Sequence, residues 1–119
     1  MAFRVEVSPR AFRDLDEIAG FIETHGSFQQ AEEWFNGIMA AIRTLEMMPD
    51  RCRVADVSSE LGQEVRMLLY GKRRLYRVYY SVQHRTRTTG TVRVFHVRHW
   101  ARESLDARQL GTMIRDEIL

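Results

Sequence analysis

A single cysteine, Cys52, rules out an internal disulfide and any multi-cysteine metal site. No run of 18 apolar residues occurs, so no membrane-spanning helix and no membrane partner are expected. The N-terminal MAFRVEVSPR has neither a hydrophobic run nor a small-residue cleavage site, which leaves the cytoplasm as the expected compartment. A Ser-His-Asp set, a Gly-rich phosphate loop and metal-ligand spacing are all missing, so no cofactor and no metal are expected. Repeats and low-complexity tracts are absent too. At 119 residues and 45% apolar content, the chain suits one compact domain with one sheet and one helical layer.

Acidic side chains are missing from one long stretch. Between Val65 and Arg102 lie ten basic residues and no Asp or Glu. The net charge of +2 therefore hides an acidic first part and a basic second part. Such a stretch points to an anionic partner, either nucleic acid or an acidic protein segment. Lysine is almost absent as well, since Lys72 is the only one among 18 basic residues. Arginine makes planar two-pronged contacts with phosphate and carboxylate that lysine cannot make. A GC-rich codon bias gives the same composition.

What is present orders itself readily. FRVEV (3–7) alternates apolar and polar residues, the signature of a half-buried strand. Ser8 and Pro9 are N-cap and first-turn residues for a helix whose stripe is Ala11, Leu15, Ile18 and Ile22. His25-Gly26 ends it. Ser27-Phe28-Gln29-Gln30 has the form of a capping box, and Ala31, Trp34, Phe35, Ile38, Ala41, Ile42 and Leu45 form the stripe of a second helix, stopped by Pro49. The short link makes the two helices an antiparallel hairpin. Residues 50–62 read as a polar loop with room for one helical turn. Strands follow at 64–70, 74–82 and 91–99, and a helix at 104–118 closes the chain. The fold class is α+β: an N-terminal strand, a helical hairpin packed on a small antiparallel sheet of three to four strands, and a C-terminal helix.

Alternation over 74–82 puts Tyr76, Val78, Tyr80 and Val82 on the face that meets the helices. Leu75, Arg77, Tyr79 and Ser81 take the other face. A buried unpaired cation would be strongly destabilising, so Arg77 needs a groove or an acidic partner such as Glu64. Two readings stand: a sheet brace, or an anion site shared with Arg66 and Arg98. His99 is a candidate base, its neighbouring arginines favouring the neutral ring, and is equally a packing residue beside Trp100. His96 is expected to face the opposite way.

SPRAFRDLDEIAGFI (8–22), AEEWFNGI (31–38), LEMMP (45–49), VRMLLYGKRRLYRVYYSV (65–82) and VRVFHVRHWAR (92–102) together resemble the ParE branch of the RelE/ParE toxins. The resemblance covers residues 3–102. It implies a toxin domain over 1–102, with 103–119 as a C-terminal helical extension, and a role as the toxin half of a type II toxin–antitoxin pair. The toxin arrests growth until a cognate antitoxin binds it. ParE-like members block DNA gyrase, whereas RelE-like members cut mRNA on the ribosome without a metal. Carried over by position, Arg66, Arg77, Arg98 and His99 are the catalytic candidates of the nuclease alternative. Arg66, Arg74, Arg77, Arg98 and Arg102 are the candidates for binding the antitoxin or another anion. The nuclease branch often closes its site with a C-terminal tyrosine. No tyrosine follows Tyr80 here, so the gyrase mechanism is the expected one. An inactive basic binding module is the remaining alternative.

Overall fold

A computed structural model describes residues 3–56 and 58–99. The expected C-terminal helix, the boundary at residue 102, Trp100 and Arg102 lie outside the described residues. Strand β1 (Phe3–Val7) leads into helix α1 (Pro9–His25) and helix α2 (Phe28–Arg43). Two short 3₁₀ turns, Thr44–Glu46 and Pro49–Arg51, precede strand β2 (Arg53–Val54) and the one-turn helix α3 (Ser58–Leu61). Strand β3 (Arg66–Tyr70), a 3₁₀ turn at Lys72–Arg74, and strands β4 (Tyr76–His84) and β5 (Gly90–His99) follow.

The helix boundaries follow from their caps. Ser8 Oγ accepts the Ala11 N–H at 3.0 Å, and Pro9 occupies the first turn. Ser27 Oγ accepts the Gln30 N–H at 3.1 Å at the start of α2. The helix stops earlier than Pro49 alone requires, and the chain continues as 3₁₀ turns.

The sheet has five strands in the order β1-β5-β4-β3-β2. It is mixed, which corrects the expectation of a purely antiparallel sheet. β1 runs parallel to β5, with Phe3 opposite Gly90 and Val7 opposite Val94. A parallel neighbour requires a crossover, and here the connection runs through the helical hairpin and strands β2 to β4. β2 adds a two-residue edge to β3 inside the segment expected to be a loop. β5 carries a bulge between its pairings with Tyr79 and Tyr80, where Phe95 is the extra residue.

The hairpin packs on the face expected to meet it. Leu15, Ile18, Ile38, Ile42 and Leu45 meet Val78, Tyr80, Val92, Val94 and Val97 in one core. Gly37 lets α2 approach the sheet, because a Cβ there would lie 2.0 Å from the Tyr70 hydroxyl. Tyr79 and His96 pair across β4 and β5 on the opposite face, and both are buried. No helix among the described residues is long and apolar enough to cross a membrane.

Candidate functional site

Register decides where the arginines stand. Arg77 lies directly opposite Arg98 across β4 and β5, so both belong to the face turned away from the hairpin. Arg66 pairs with Tyr80, a residue of the helix-side core. The shared site of Arg66, Arg77 and Arg98 therefore does not form: β3 presents Arg66 to the other side of the sheet.

Arg66 is committed internally. Its side chain is 15% exposed and contacts Glu64 at 2.7 Å. It donates to the carbonyls of Asp50 (2.8 Å) and Cys52 (2.6 Å). Glu64, named above as a partner for Arg77, is thus the partner of Arg66. The planar guanidinium fork holds the 50–52 segment onto β3. Tyr80 adds a second tie by donating its hydroxyl to the Pro49 carbonyl at 2.5 Å. Burial, with a smaller contribution from the Cys52 thiol, pushes the Tyr80 phenol far above its ordinary pKa.

Arg77 and Arg98 form a like-charge cross-strand pair, an arrangement unfavourable on its own. Arg98 Nε is buried and has no hydrogen-bond partner among the described residues. Close by in sequence, the Lys72–Arg74 turn exposes three cations. Arg73 (φ 57°) and Arg74 (φ 55°) both sit in the left-handed region, at about 1–2 kcal/mol each for a non-glycine residue. The Arg74 N–H donates to the Gly71 carbonyl at 2.9 Å and closes the turn. Gly71 (φ 90°) is required there, since a Cβ would press on the Tyr76 ring at 3.1 Å.

His99 takes the face opposite to Arg98. Its ring meets Tyr76 edge-on at 5.0 Å, and Tyr76 leans on Trp34 at 5.1 Å. These three rings wall a cleft of about 710 Å³ between the hairpin and the end of the sheet. Ile18, Phe21, Ile22 and His25 form its α1 side, and Gln30 stands with Trp34 on α2. Burial raises the Tyr76 phenol above its usual value. Trp34 Nε1 is buried without a partner among the described residues, a donor at the wall of a largely apolar groove. The Lys72–Arg74 turn follows Gly71, which lies beside the Tyr76 ring. Sequence reading found His99 but not the cleft, whose walls come from four separate elements.

Sequence reading also missed Asp14. Its Oδ2 lies 2.7 Å from His96 Nδ1 and accepts the Val97 N–H at 3.1 Å. The contact is an ion pair when the ring is protonated. The only sequence signal was an acidic residue one turn after the apolar Ala11 and directly before Leu15. His96 does face away from His99, as alternation required.

Arg66 and His99 share a face but stand four residues and two strand spacings apart, roughly 16 Å between Cα atoms. Arg77 and Arg98 are behind the sheet. No group of three or more His, Cys, Asp or Glu side chains that could hold a metal occurs among the described residues.

A helical hairpin packed on a small mixed sheet, with a cleft at the sheet's end, defines a small α+β domain. Residues 5–103 match the family described as the ParE toxin of the type II toxin-antitoxin system parDE, and the chain belongs to that family. Its function is that of a type II toxin, and its partner is a cognate antitoxin. A solved structure of the chromosomal ParDE TA system from P. aeruginosa superposes with a TM-score of 0.66. It shares 15% identity over 82% of this chain and 96% of that one, a likeness of fold. No curated protein matches the chain in sequence.

Proposed function

We propose that the protein arrests growth by trapping DNA gyrase on cut DNA, and that it performs no chemistry of its own. The observation that carries this reading is the division of Arg66, Arg77, Arg98 and His99 over two faces of the sheet. A metal-free RNA cleavage needs basic groups converging on one phosphate and its 2′-hydroxyl, and these four do not converge. What remains is a scaffold of the ParE family with surfaces suited to protein partners. Expression without antitoxin is expected to induce a DNA-damage response while transcripts stay whole. Primer extension that finds mRNA cut at ribosomal A-site codons would replace this reading with the nuclease one.

The antitoxin, in the same proposal, lays an acidic amphipathic segment into the cleft. Its apolar side fills the space between Ile18, Ile22, Trp34 and Tyr76. Its acidic side meets Lys72, Arg73 and Arg74 at the rim, and an acidic extension reaches the Arg77–Arg98 pair. Reversing the charge of Arg73 and Arg74 together, or of Arg77 and Arg98 together, is expected to weaken antitoxin binding by about tenfold or more. Calorimetric titration measures this directly, and an unchanged affinity for both double variants counts against this docking site.

A further inference from the structure

The face of the sheet turned away from the hairpin is covered. Tyr79 and His96 pair across β4 and β5 with their rings stacked at 6.0 Å, and they are only 4% and 6% exposed. Met67 and Leu69 on β3 stand opposite Tyr79 and Arg77 and continue the same face. Arg98 Nε is buried there as well. Both helices of the hairpin pack on the other side. The described contacts that approach this face come from its margins. Asp14 reaches His96 from α1, and Ser58 Oγ brackets the Val65 backbone at the start of β3, at 2.9 and 3.0 Å. Rings in the middle of a sheet face become this buried only under a second layer.

The cover that this face calls for has a definite chemistry. Its middle must be apolar, to meet Met67, Leu69 and the two rings. One side must be acidic, because Arg77 and Arg98 stand opposite each other and like charges so placed are unfavourable without compensation. Between Val65 and Arg102 the chain offers no acidic residue. Residues 103–119 offer both features. They carry Glu103, Asp106, Asp116 and Glu117 against Arg108 and Arg115. At helical spacing, Ala107, Leu110, Ile114 and Ile118 fall on one stripe. Asp106 and Glu117 flank that stripe on one side, and the two arginines flank it on the other. The reach also fits. A helix over 104–118 would be about 22 Å long. The sheet face from Arg98 back to Arg93 runs about 17 Å. β5 ends at His99, beside the arginine pair, so the segment starts at the edge it has to cover.

We propose that residues 103–119 form an amphipathic helix laid across this face of the sheet, with the apolar stripe on Tyr79 and His96 and the acidic flank toward Arg77 and Arg98. The sheet then lies between two helical layers, and the chain itself supplies part of the counter-charge for its acid-free stretch. Arg77 and Arg98 are half-buried, so part of each side chain stays in reach of the antitoxin segment proposed above. The inference does not depend on which target the toxin has.

Hydrogen exchange of the full-length chain, read by mass spectrometry, tests this. Amides of 104–118 are expected to exchange at least about tenfold slower than in a free peptide, at any protein concentration and without antitoxin. In Leu110→Asp/Ile114→Asp that protection is expected to vanish, and peptides from 76–81 and 93–98 to exchange about tenfold faster, while the α1–α2 hairpin keeps its protection. Arg98→Glu is expected to weaken the protection of 104–118, and Arg98→Lys to keep it, because only the first turns attraction into repulsion. Free-peptide rates for 104–118 in the unmodified chain overturn the proposal. Protection that appears only as concentration rises assigns the cover to a second copy, and protection that needs antitoxin assigns it to that partner; either result overturns the proposal too. So does a double variant that loses protection at 104–118 while 76–81 and 93–98 stay unchanged, since the helix then packs elsewhere.

Discussion

Tyr80 shows how much one side chain can organise. It is fully buried at the centre of β4, yet its hydroxyl reaches the Pro49 carbonyl. Tyr80→Phe leaves that carbonyl unpaired, and a loss of about 1–2 kcal/mol in chemical denaturation is expected. The same residue, together with Tyr76, contributes to the alkaline limit. Its folded pKa is raised by burial, whereas the unfolded phenol titrates near its ordinary value of about 10. Stability from this group is complete below about pH 10 and is lost as pH rises further, because only the unfolded chain readily releases the proton. Denaturation midpoints should therefore be level from neutral pH to about 10 and then fall, and fall less steeply in Tyr80→Phe. Arg66 is the companion case. Removing it at Arg66→Ala frees two carbonyls and Glu64 together, with an expected loss of roughly 2–4 kcal/mol. Arg66→Lys should recover little of it, since an ammonium cannot reproduce the planar fork.

The elements differ in how openly the sequence displays them. β1, α1 and α2 were legible because their periodicity and their caps are local signals: Ser8-Pro9, Gly26 and Ser27 each act within a few residues. The inward face of β4 was legible for the same reason. β2 and the parallel β1–β5 pairing were not, because a two-residue edge and a strand's partner depend on contacts distant in sequence. The bulge at Phe95 was equally hidden. Gly37 lies inside α2, where alanine ordinarily improves a helix by up to about 1 kcal/mol. Here the Tyr70 hydroxyl occupies the space, so Gly37→Ala is expected to destabilise by roughly 1–3 kcal/mol. Adding Tyr70→Phe removes the obstructing oxygen and should return most of that loss in the same unfolding assay.

At the scale of the molecule, the candidate site was half legible. Alternation alone placed Arg77 on the face away from the hairpin, and His99 and His96 on opposite faces. It could not place Arg66, whose face depends on the register between β3 and β4. The cleft was invisible for a related reason: Ile18, Trp34, Tyr76 and His99 are brought together only by the packing of the hairpin over the sheet end. The cleft sits at one edge of the molecule, and the exposed Lys72–Arg74 turn follows Gly71 beside the Tyr76 ring.

The central claim, a protein that stops growth by holding gyrase rather than by cutting RNA, meets its most direct test with purified components. The chain is mixed with gyrase and supercoiled plasmid, and protein-linked linear DNA is counted after denaturation. The account predicts that broken DNA accumulates in proportion to the toxin and that supercoiling falls, both reversed by prior addition of antitoxin. Supercoiling at its full rate with no covalent complex, at toxin in excess over gyrase, would contradict it.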